Sequence, residues 1–218
     1  MKRVWVNPWF VLPVGLFFIA AMILAAVTPY GHEIVYLNDW REGWLNPFFR
    51  RVTHLGEAPA FIVAGLAALF WQYRFTVLIA LVGLFTSPLV YTLKDKIGTD
   101  RPKTYFEKTG MSEAVVVVPE ERLNSGRTSF PSGHTTAAFA LYGLLSLMLD
   151  PRVRQWGLLL AILAITVGFS RIYLVQHFLR DVLGGAVLGL ILAWLVWQLG
   201  QSAFFQRARW LDGGLSRR

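Results

Sequence analysis

A histidine and an aspartate stand four residues apart, at His177 and Asp181, in the stretch SRIYLVQHFLRD at residues 170–181. On a helix, positions i and i+4 share one face, so the carboxylate can bond one imidazole nitrogen and leave the other free. Such a carboxylate fixes the tautomer of an imidazole that acts as nucleophile or base. Arg171, with a planar fork suited to phosphate, lies six residues before the histidine. A satisfied structural His–Asp pair is the alternative interpretation of this stretch alone.

Two further clusters of phosphate-suited residues precede this stretch. Lys94 and Arg101 have six residues between them, and PSGH at residues 131–134 precedes a predicted helix. A helix N-terminus carries free N–H groups and a positive dipole end, both of which attract phosphate. Gly133 lets an anion approach the backbone closely, and Ser132 can cap the helix or donate to a phosphate oxygen.

The residue types in the three clusters fit phosphoryl transfer. Three cations would hold the charged phosphoryl oxygens: Lys94, Arg101 and Arg171. His177 would attack phosphorus and become a phosphohistidine, while His134 would protonate the leaving oxygen and then activate the water that releases phosphate. No carboxylate cluster or further histidine arrangement requires a metal, so we expect neither a metal nor another cofactor.

Composition indicates a membrane protein. The 218-residue chain is 55% hydrophobic and only 16% charged, whereas soluble domains carry about 25% charged residues. Its apolar residues fall in long blocks, and its length suits a single domain, residues 1–218. The net charge of +8 fits basic loops facing anionic lipid better than a nucleic-acid partner. The absence of cysteine excludes disulfides, thiol catalysis and thiolate metal sites.

The apolar blocks predict an all-α fold, a bundle of six transmembrane helices. Gly185 and Gly189, spaced GxxxG, predict close packing of the last helix. A cleaved signal peptide is the alternative for the first block, but that block is long for one and no small-residue cleavage site follows. The six predicted helices cover residues 9–28, 58–72, 75–93, 132–149, 156–173 and 178–203.

The connecting segments predict short interfacial helices and an active-site loop. Residues 29–56 predict one or two helices in the membrane interface, one of them starting at Asn46–Pro47 with the asparagine as N-cap; an ordinary packed loop is the alternative. Residues 94–131 form the predicted active-site loop between the third and fourth helices. Its AVVVV run at 114–118 predicts a strand or a buried extended segment. His54 and His32 are expected to be interfacial or hydrogen-bonded structural histidines.

Six spans would place both termini on one side of the membrane and all four histidines on the other. The cations of the terminal side are concentrated in short segments, so the positive-inside rule predicts cytoplasmic termini and an extracytoplasmic active site. Those cations are Lys2, Arg3, Arg74, Arg152, Arg154, Arg207, Arg209, Arg217 and Arg218.

The three clusters together resemble the motifs of the type 2 phosphatidic acid phosphatase superfamily. KxxxxxxRP at 94–102, PSGH at 131–134 and SRxxxxxHxxxD at 170–181 occur in order and without departures. The resemblance implies metal-independent hydrolysis with His177 as nucleophile. It also implies His134 and Asp181 as catalytic partners, and a phosphate site formed by Lys94, Arg101, Ser132, Gly133 and Arg171.

With this topology, the resemblance also implies a bacterial inner membrane with the active site at its periplasmic face, and a substrate class. Bacterial membrane members act on undecaprenyl diphosphate, phosphatidylglycerol phosphate, phosphatidic acid or the phosphates of lipid A, and the residues do not choose among these lipids or set an oligomeric state. Vanadate-dependent halide oxidation is a second possibility on the same site, but the haloperoxidases are soluble and six spans argue against it. A non-catalytic binder or transporter of lipid phosphates is the third.

Overall fold

The computed structural model describes residues 6–216, and over that range the chain is helical with no strand. Lys2, Arg3, Arg217 and Arg218, which entered the topology prediction, lie outside the described residues. The helices of the described range are α1 (Pro8–Val27), α2 (His32–Val35), α3 (Leu45–Val52), α4 (Ala58–Trp71), α5 (Tyr73–Ile97), α6 (Pro102–Thr109), α7 (Gly133–Met148), α8 (Gly157–Tyr173), α9 (Leu179–Gly200) and α10 (Ala203–Arg207).

Four segments are long and apolar enough to cross a membrane. They are Pro8–Val27, Tyr73–Thr109, Pro151–Tyr173 and Leu179–Gly200. A fifth candidate is a pair of helices, Leu45–Gly56 and Ala58–Trp71, bent by 57°. Each segment predicted as a membrane helix is helical, but α7 has only 16 residues. The protein is therefore an integral membrane protein with four or five candidate spans, and the count of six stays a prediction.

Helix α7 is the centre of the bundle. Eleven of its 16 residues are buried, and it packs against α5, α8 and α9. A helix that is apolar on all sides finds its partners inside the protein, so its neighbours enclose it. This enclosure fixes the first turn of α7, which carries His134, relative to the ends of the surrounding helices.

The two glycines of α9 allow its backbone to lie directly against α7. A Cβ at Gly189 would lie 2.4 Å from the carbonyl oxygen of Thr136, and one at Gly185 would lie 2.6 Å from that of Ser132. Both distances are too short for any side chain, so the predicted close packing is confirmed. The same contact brings the N-terminal ends of α7 and α9 together.

Helix α3 begins two residues earlier than predicted. Its N-cap is Trp44, so the assignment of Asn46 as the cap is wrong. The Asn46 side chain instead accepts a 2.7 Å hydrogen bond from the Tyr173 hydroxyl, which ties α3 to the end of α8. The helix is amphipathic, with Phe49 buried while Phe48 and Trp44 are exposed, as an interfacial helix requires.

The AVVVV run forms no strand in the part of the chain that the structure describes. Ala114 ends a short 3₁₀ helix, and residues 115–118 have no regular secondary structure. Val118 is buried in a cluster with Tyr173 and Leu174, whereas Ala114, Val116 and Val117 are exposed. The predicted burial therefore holds for Val118 and not for the run as a whole.

The α7–α9 contact predicts a large effect of one methyl group. Gly189→Ala should destabilise the protein by about 1–3 kcal/mol, because overpacking forces the backbones apart. Gly15→Ala is the matched control, since a Cβ at Gly15 meets nothing within 4 Å. We expect the thermal midpoint in detergent to fall for the first variant and not for the second; equal midpoints would contradict the packing.

Candidate active site

The three motif clusters meet at one end of the bundle. Lys94 lies in the last turn of α5, Arg171 in the last turn of α8 and His134 in the first turn of α7. Arg101 is the N-cap of α6, and His177 lies in the connection between α8 and α9. The structure therefore brings together the residues that were predicted to act on phosphate.

His177 and Asp181 form the expected pair, although α9 begins only after the histidine. The distance between His177 Nδ1 and Asp181 Oδ2 is 3.4 Å, and both side chains are almost fully buried. The same Asp181 oxygen accepts a bond of 3.0 Å from the Phe178 N–H and a second from the Ser129 hydroxyl. The Asp181 carboxylate therefore both caps the first turn of α9 and orients the His177 imidazole.

The environment of His177 favours the neutral imidazole. Burial lowers its pKa well below 6.5, and the nearby charges of Arg171, Arg101 and Lys94 lower it further. Because Asp181 accepts from Nδ1, the proton of the neutral ring lies on that atom. Nε2 then keeps its lone pair, which is the form of histidine that can attack phosphorus.

The three cations are held by backbone carbonyls and hydroxyls. Lys94 Nζ donates to the carbonyls of Thr128 and Ser129. Arg101 Nη1 donates to the carbonyl of Gln176 at 3.3 Å. These bonds orient the two side chains without neutralising their charge.

Arg171 is buried and incompletely satisfied. Its Nη1 donates to Thr53 Oγ1 at 2.7 Å, while its Nε is buried and has no hydrogen-bond partner in the part of the chain that the structure describes. Among the described residues, neither Arg171, Lys94 nor Arg101 forms an ion pair with a carboxylate. Buried and half-buried charges of one sign are costly when unpaired, so this cluster is built to receive an anion.

The PSGH segment begins α7. Ser132 is the N-cap residue, but its hydroxyl does not cap the helix; it accepts a 2.8 Å bond from the Thr135 hydroxyl. The Ser132 N–H donates to the Asp181 carbonyl at 3.0 Å, which joins the two motifs through their backbones. A Cβ at Gly133 would make only an ordinary contact, 3.6 Å from Val90. The protein fold thus does not itself require glycine there.

His134 is paired with a carboxylate that the sequence did not reveal. Its Nε2 lies 2.8 Å from Glu57 Oε1, and the other oxygen of Glu57 lies 2.9 Å from His54 Nδ1. Burial tends to raise the pKa of Glu57, but the hydrogen bonds from the two histidines outweigh it and lower that pKa. The prediction of a hydrogen-bonded His54 is confirmed, and its partner links it to the site.

The connection that carries His177 is strained. Val175 has φ of 56°, a left-handed conformation that is costly for a β-branched residue. Val175 follows the C-cap of α8, a position where glycine is the usual residue. The N–H groups of Gln176 and His177 both donate to the Arg171 carbonyl. Glu33, also buried, accepts from the Leu179 N–H at 3.1 Å and so fixes the start of α9.

A cavity of about 920 Å³ leads away from this cluster between α4 and α5. Its polar end is lined by Glu57, Lys94, Gly133 and His134, and it continues along α5 as far as Thr76. Lys94 follows Thr76 by 18 positions, which corresponds to about 27 Å of helix. Most of the remaining lining is apolar: Ala58, Phe61, Ile62, Leu66, Leu69, Ile79, Ala80, Leu84, Val90 and Ala137.

Comparisons with known proteins agree with the motifs. Residues 71–205 match the model of the PAP2 superfamily. The chain is 30% identical over 168 residues to phosphatidylglycerophosphatase B of Bacillus subtilis, which covers 72% of this chain and 75% of that one. It is 42% identical over 67 residues to the undecaprenyl-diphosphatase BcrC of the same organism, covering 31% of this chain and 33% of that protein.

A solved structure is similar over most of the chain. It is the crystal structure of the first transmembrane PAP2 type phosphatidylglycerolphosphate phosphatase from Bacillus subtilis. The TM-score is 0.62 at 27% sequence identity, and the match covers 87% of this chain and 96% of that one.

The lowered pKa of His177 predicts a pH dependence of stability. Below its ordinary pKa of about 6.5, imidazole takes up a proton in the unfolded chain but not in the folded protein, so stability is lost as the pH falls. Between about pH 7.5 and about pH 5.5, the thermal midpoint should therefore fall further in the wild type than in His177→Gln. Parallel midpoints in the two proteins would contradict the neutral, buried imidazole.

Proposed function

The chain belongs to the PAP2 superfamily, and from this we infer that it is an integral-membrane lipid phosphatase that hydrolyses a phosphomonoester or diphosphate of a lipid. The observation that carries this proposal is the cluster of three cations without carboxylate partners around His177, at the end of an apolar cavity. Phosphate is the anion that such a set of donors fits best.

Lys94, Arg101 and Arg171 hold the phosphoryl oxygens in this proposal. The unpartnered Nε of Arg171 gives one donor without breaking any existing bond. The first turn of α7 adds the N-terminal N–H groups and the hydroxyl of Ser132, whose oxygen accepts from Thr135 and whose proton can be donated to phosphate. Gly133, where the fold tolerates a side chain, leaves room for the anion.

Hydrolysis then proceeds in two steps. Nε2 of His177 attacks phosphorus, and the bond from phosphorus to the lipid oxygen breaks as that oxygen takes a proton from His134. Asp181 supports the charge that develops on the phosphorylated ring. In the second step, water gives a proton to His134 and attacks phosphorus, the P–N bond breaks with its electron pair returning to Nε2, and phosphate leaves.

The cavity between α4 and α5 receives the hydrocarbon part of the substrate. Its length of about 27 Å is close to the ~30 Å thickness of a bilayer core, so one long chain can lie along it while the phosphate rests at Lys94 and His134. Phosphatidylglycerol phosphate, undecaprenyl diphosphate and phosphatidic acid share this combination of headgroup and chain. The first two correspond to the names of the similar proteins.

The membrane arrangement we favour has six spans in one domain, residues 1–218. Helix α7 adds one span to the five candidates, which makes six. Its 16 residues cover about 24 Å, and its neighbours shield it from lipid. Its N-terminus and the C-terminal ends of α5 and α8 then lie on one side with the active-site loop. The density of lysine and arginine at the opposite side supports cytoplasmic termini and a periplasmic active site in a bacterial inner membrane.

Release of inorganic phosphate tests the function directly. The purified protein in detergent should release phosphate from at least one of phosphatidic acid, phosphatidylglycerol phosphate and undecaprenyl diphosphate. His177→Ala should lose at least about a thousandfold in rate, because the nucleophile is removed. His32→Ala, a histidine packed on Tyr36 in α2, is the matched control and should keep its activity. No release from any of the lipids, or an active His177→Ala, would refute the proposal.

Filling the cavity tests where the chain lies. Ala80 lines the cavity, and Ala80→Trp should lower kcat/KM for dioleoyl phosphatidic acid about tenfold or more, because each CH₂ displaced from the cavity loses ~0.8 kcal/mol. The kcat/KM for dihexanoyl phosphatidic acid, whose chains are too short to reach Ala80, should not change. Ile191→Trp, on the exposed face of α9, is the control. Equal losses of kcat/KM on the two lipids would show that the acyl chain of the substrate does not lie in this cavity.

A further inference from the structure

The two histidines of the site have opposite hydrogen-bonding arrangements. His177 uses Nδ1 for its carboxylate, Asp181, and keeps Nε2 free. His134 uses Nε2 for Glu57, and within residues 6–216 its Nδ1 has no partner. Glu57 therefore stands to His134 as Asp181 stands to His177, although it comes from a different part of the chain and belongs to none of the three motifs.

The fold holds Glu57 in this position from several directions. It is the N-cap residue of α4, with an extended backbone whose N–H donates to the His54 carbonyl at 3.1 Å. A Cβ on the preceding Gly56 would lie 2.6 Å from the carbonyl oxygen of His134 and 2.8 Å from Val167 Cγ1. Glycine at this position therefore lets the turn before α4 approach the backbone of His134 itself.

His54 fixes the second oxygen of the carboxylate. Its Nδ1 lies 2.9 Å from Glu57 Oε2, while its side chain is 64% exposed. Lys94 and Arg171 face the same cluster, and an unrestrained carboxylate would turn towards either cation. With one histidine on each oxygen, Glu57 has a single orientation, in which Oε1 points at His134 Nε2.

We propose that Glu57, held by His54, is the positioning residue for the general acid His134. The proposal rests on the lipid phosphatase function inferred above. The carboxylate accepts from Nε2–H, so the proton for the leaving oxygen lies on Nδ1. The charge of the carboxylate also favours the imidazolium form of His134, which the neighbouring cations disfavour.

The departure of the leaving group provides a readout that a structural role would not affect. An alkoxide leaves phosphorus only with help from a general acid, whereas a nitrophenolate leaves without it. Because kcat/KM reports the steps up to the first cleavage, it isolates the protonation of the leaving oxygen from the later hydrolysis of phosphohistidine. Dodecyl phosphate and 4-dodecyl-2-nitrophenyl phosphate give matched chains with the two kinds of leaving group.

Glu57→Gln should lower kcat/KM for dodecyl phosphate about 10- to 100-fold and for the nitrophenyl ester by less than about threefold. Glu57→Asp, which keeps the charge on a shorter side chain, should recover part of the loss on dodecyl phosphate. His54→Gln, which leaves the Glu57–His134 contact in place, should lose less than Glu57→Gln and with the same preference for the nitrophenyl ester. Glu120→Gln removes an exposed carboxylate paired with Arg50 and should change neither rate.

The outcomes separate this inference from the function on which it rests. A wild type that cleaves neither ester nor any lipid phosphate would remove the proposed function. A wild type that is active, with Glu57→Gln unchanged or with equal losses on the two esters at an unaltered thermal midpoint, would overturn the role of Glu57 alone. If Glu57→Gln does not fold, Glu57→Asp and His54→Gln carry the same comparison of leaving groups, and equal losses in them overturn the proposal.

Discussion

The arrangement of the site depends on three cations that lie close together and that no carboxylate among residues 6–216 neutralises. Arg171 is buried and Lys94 and Arg101 are half-buried, yet their hydrogen bonds go to carbonyls and hydroxyls. Such a cluster repels itself and is expensive to desolvate, so the rest of the fold must hold it in place. An incoming phosphoryl group supplies the missing negative charge, which couples substrate binding to relief of that repulsion.

Close packing of the helix ends holds the three cations in place. The glycines of α9 bring its backbone against α7, and the Ser132 N–H donates to the Asp181 carbonyl, so the starts of the two helices are joined directly. Glu33 closes the start of α9 from a separate short helix, and the strained turn at Val175 aims the connection that carries His177. Strain of this kind persists only where the surroundings over-determine it, as they do here.

The sequence predicts the motif residues and the helices well, because both depend on local patterns. Apolar blocks locate the helices, and the spacing from His177 to Asp181 anticipates their pair. The helix ends are less local: Asn46 lies inside α3 and bonds Tyr173 instead of capping the helix, and Val118 is the one buried residue of the apolar run at 114–118. Glu57 and Ser129 could not be predicted, because their partners lie 77 and 52 positions away and no spacing rule connects them.

Covalent phosphorylation of His177 is the central claim, and trapping it is the most direct test. Purified protein mixed with a ³²P-labelled lipid phosphate and quenched within milliseconds in alkali should carry label that is stable to base and lost in acid, as phosphohistidine is. Peptide mapping should place that label on His177. With the ³²P-labelled nitrophenyl ester, whose leaving group needs no acid, His134→Gln slows only the water step and should increase the labelled fraction. Phosphate release without any labelled protein in either the wild type or this variant would contradict the account, because water would then attack the lipid phosphate directly.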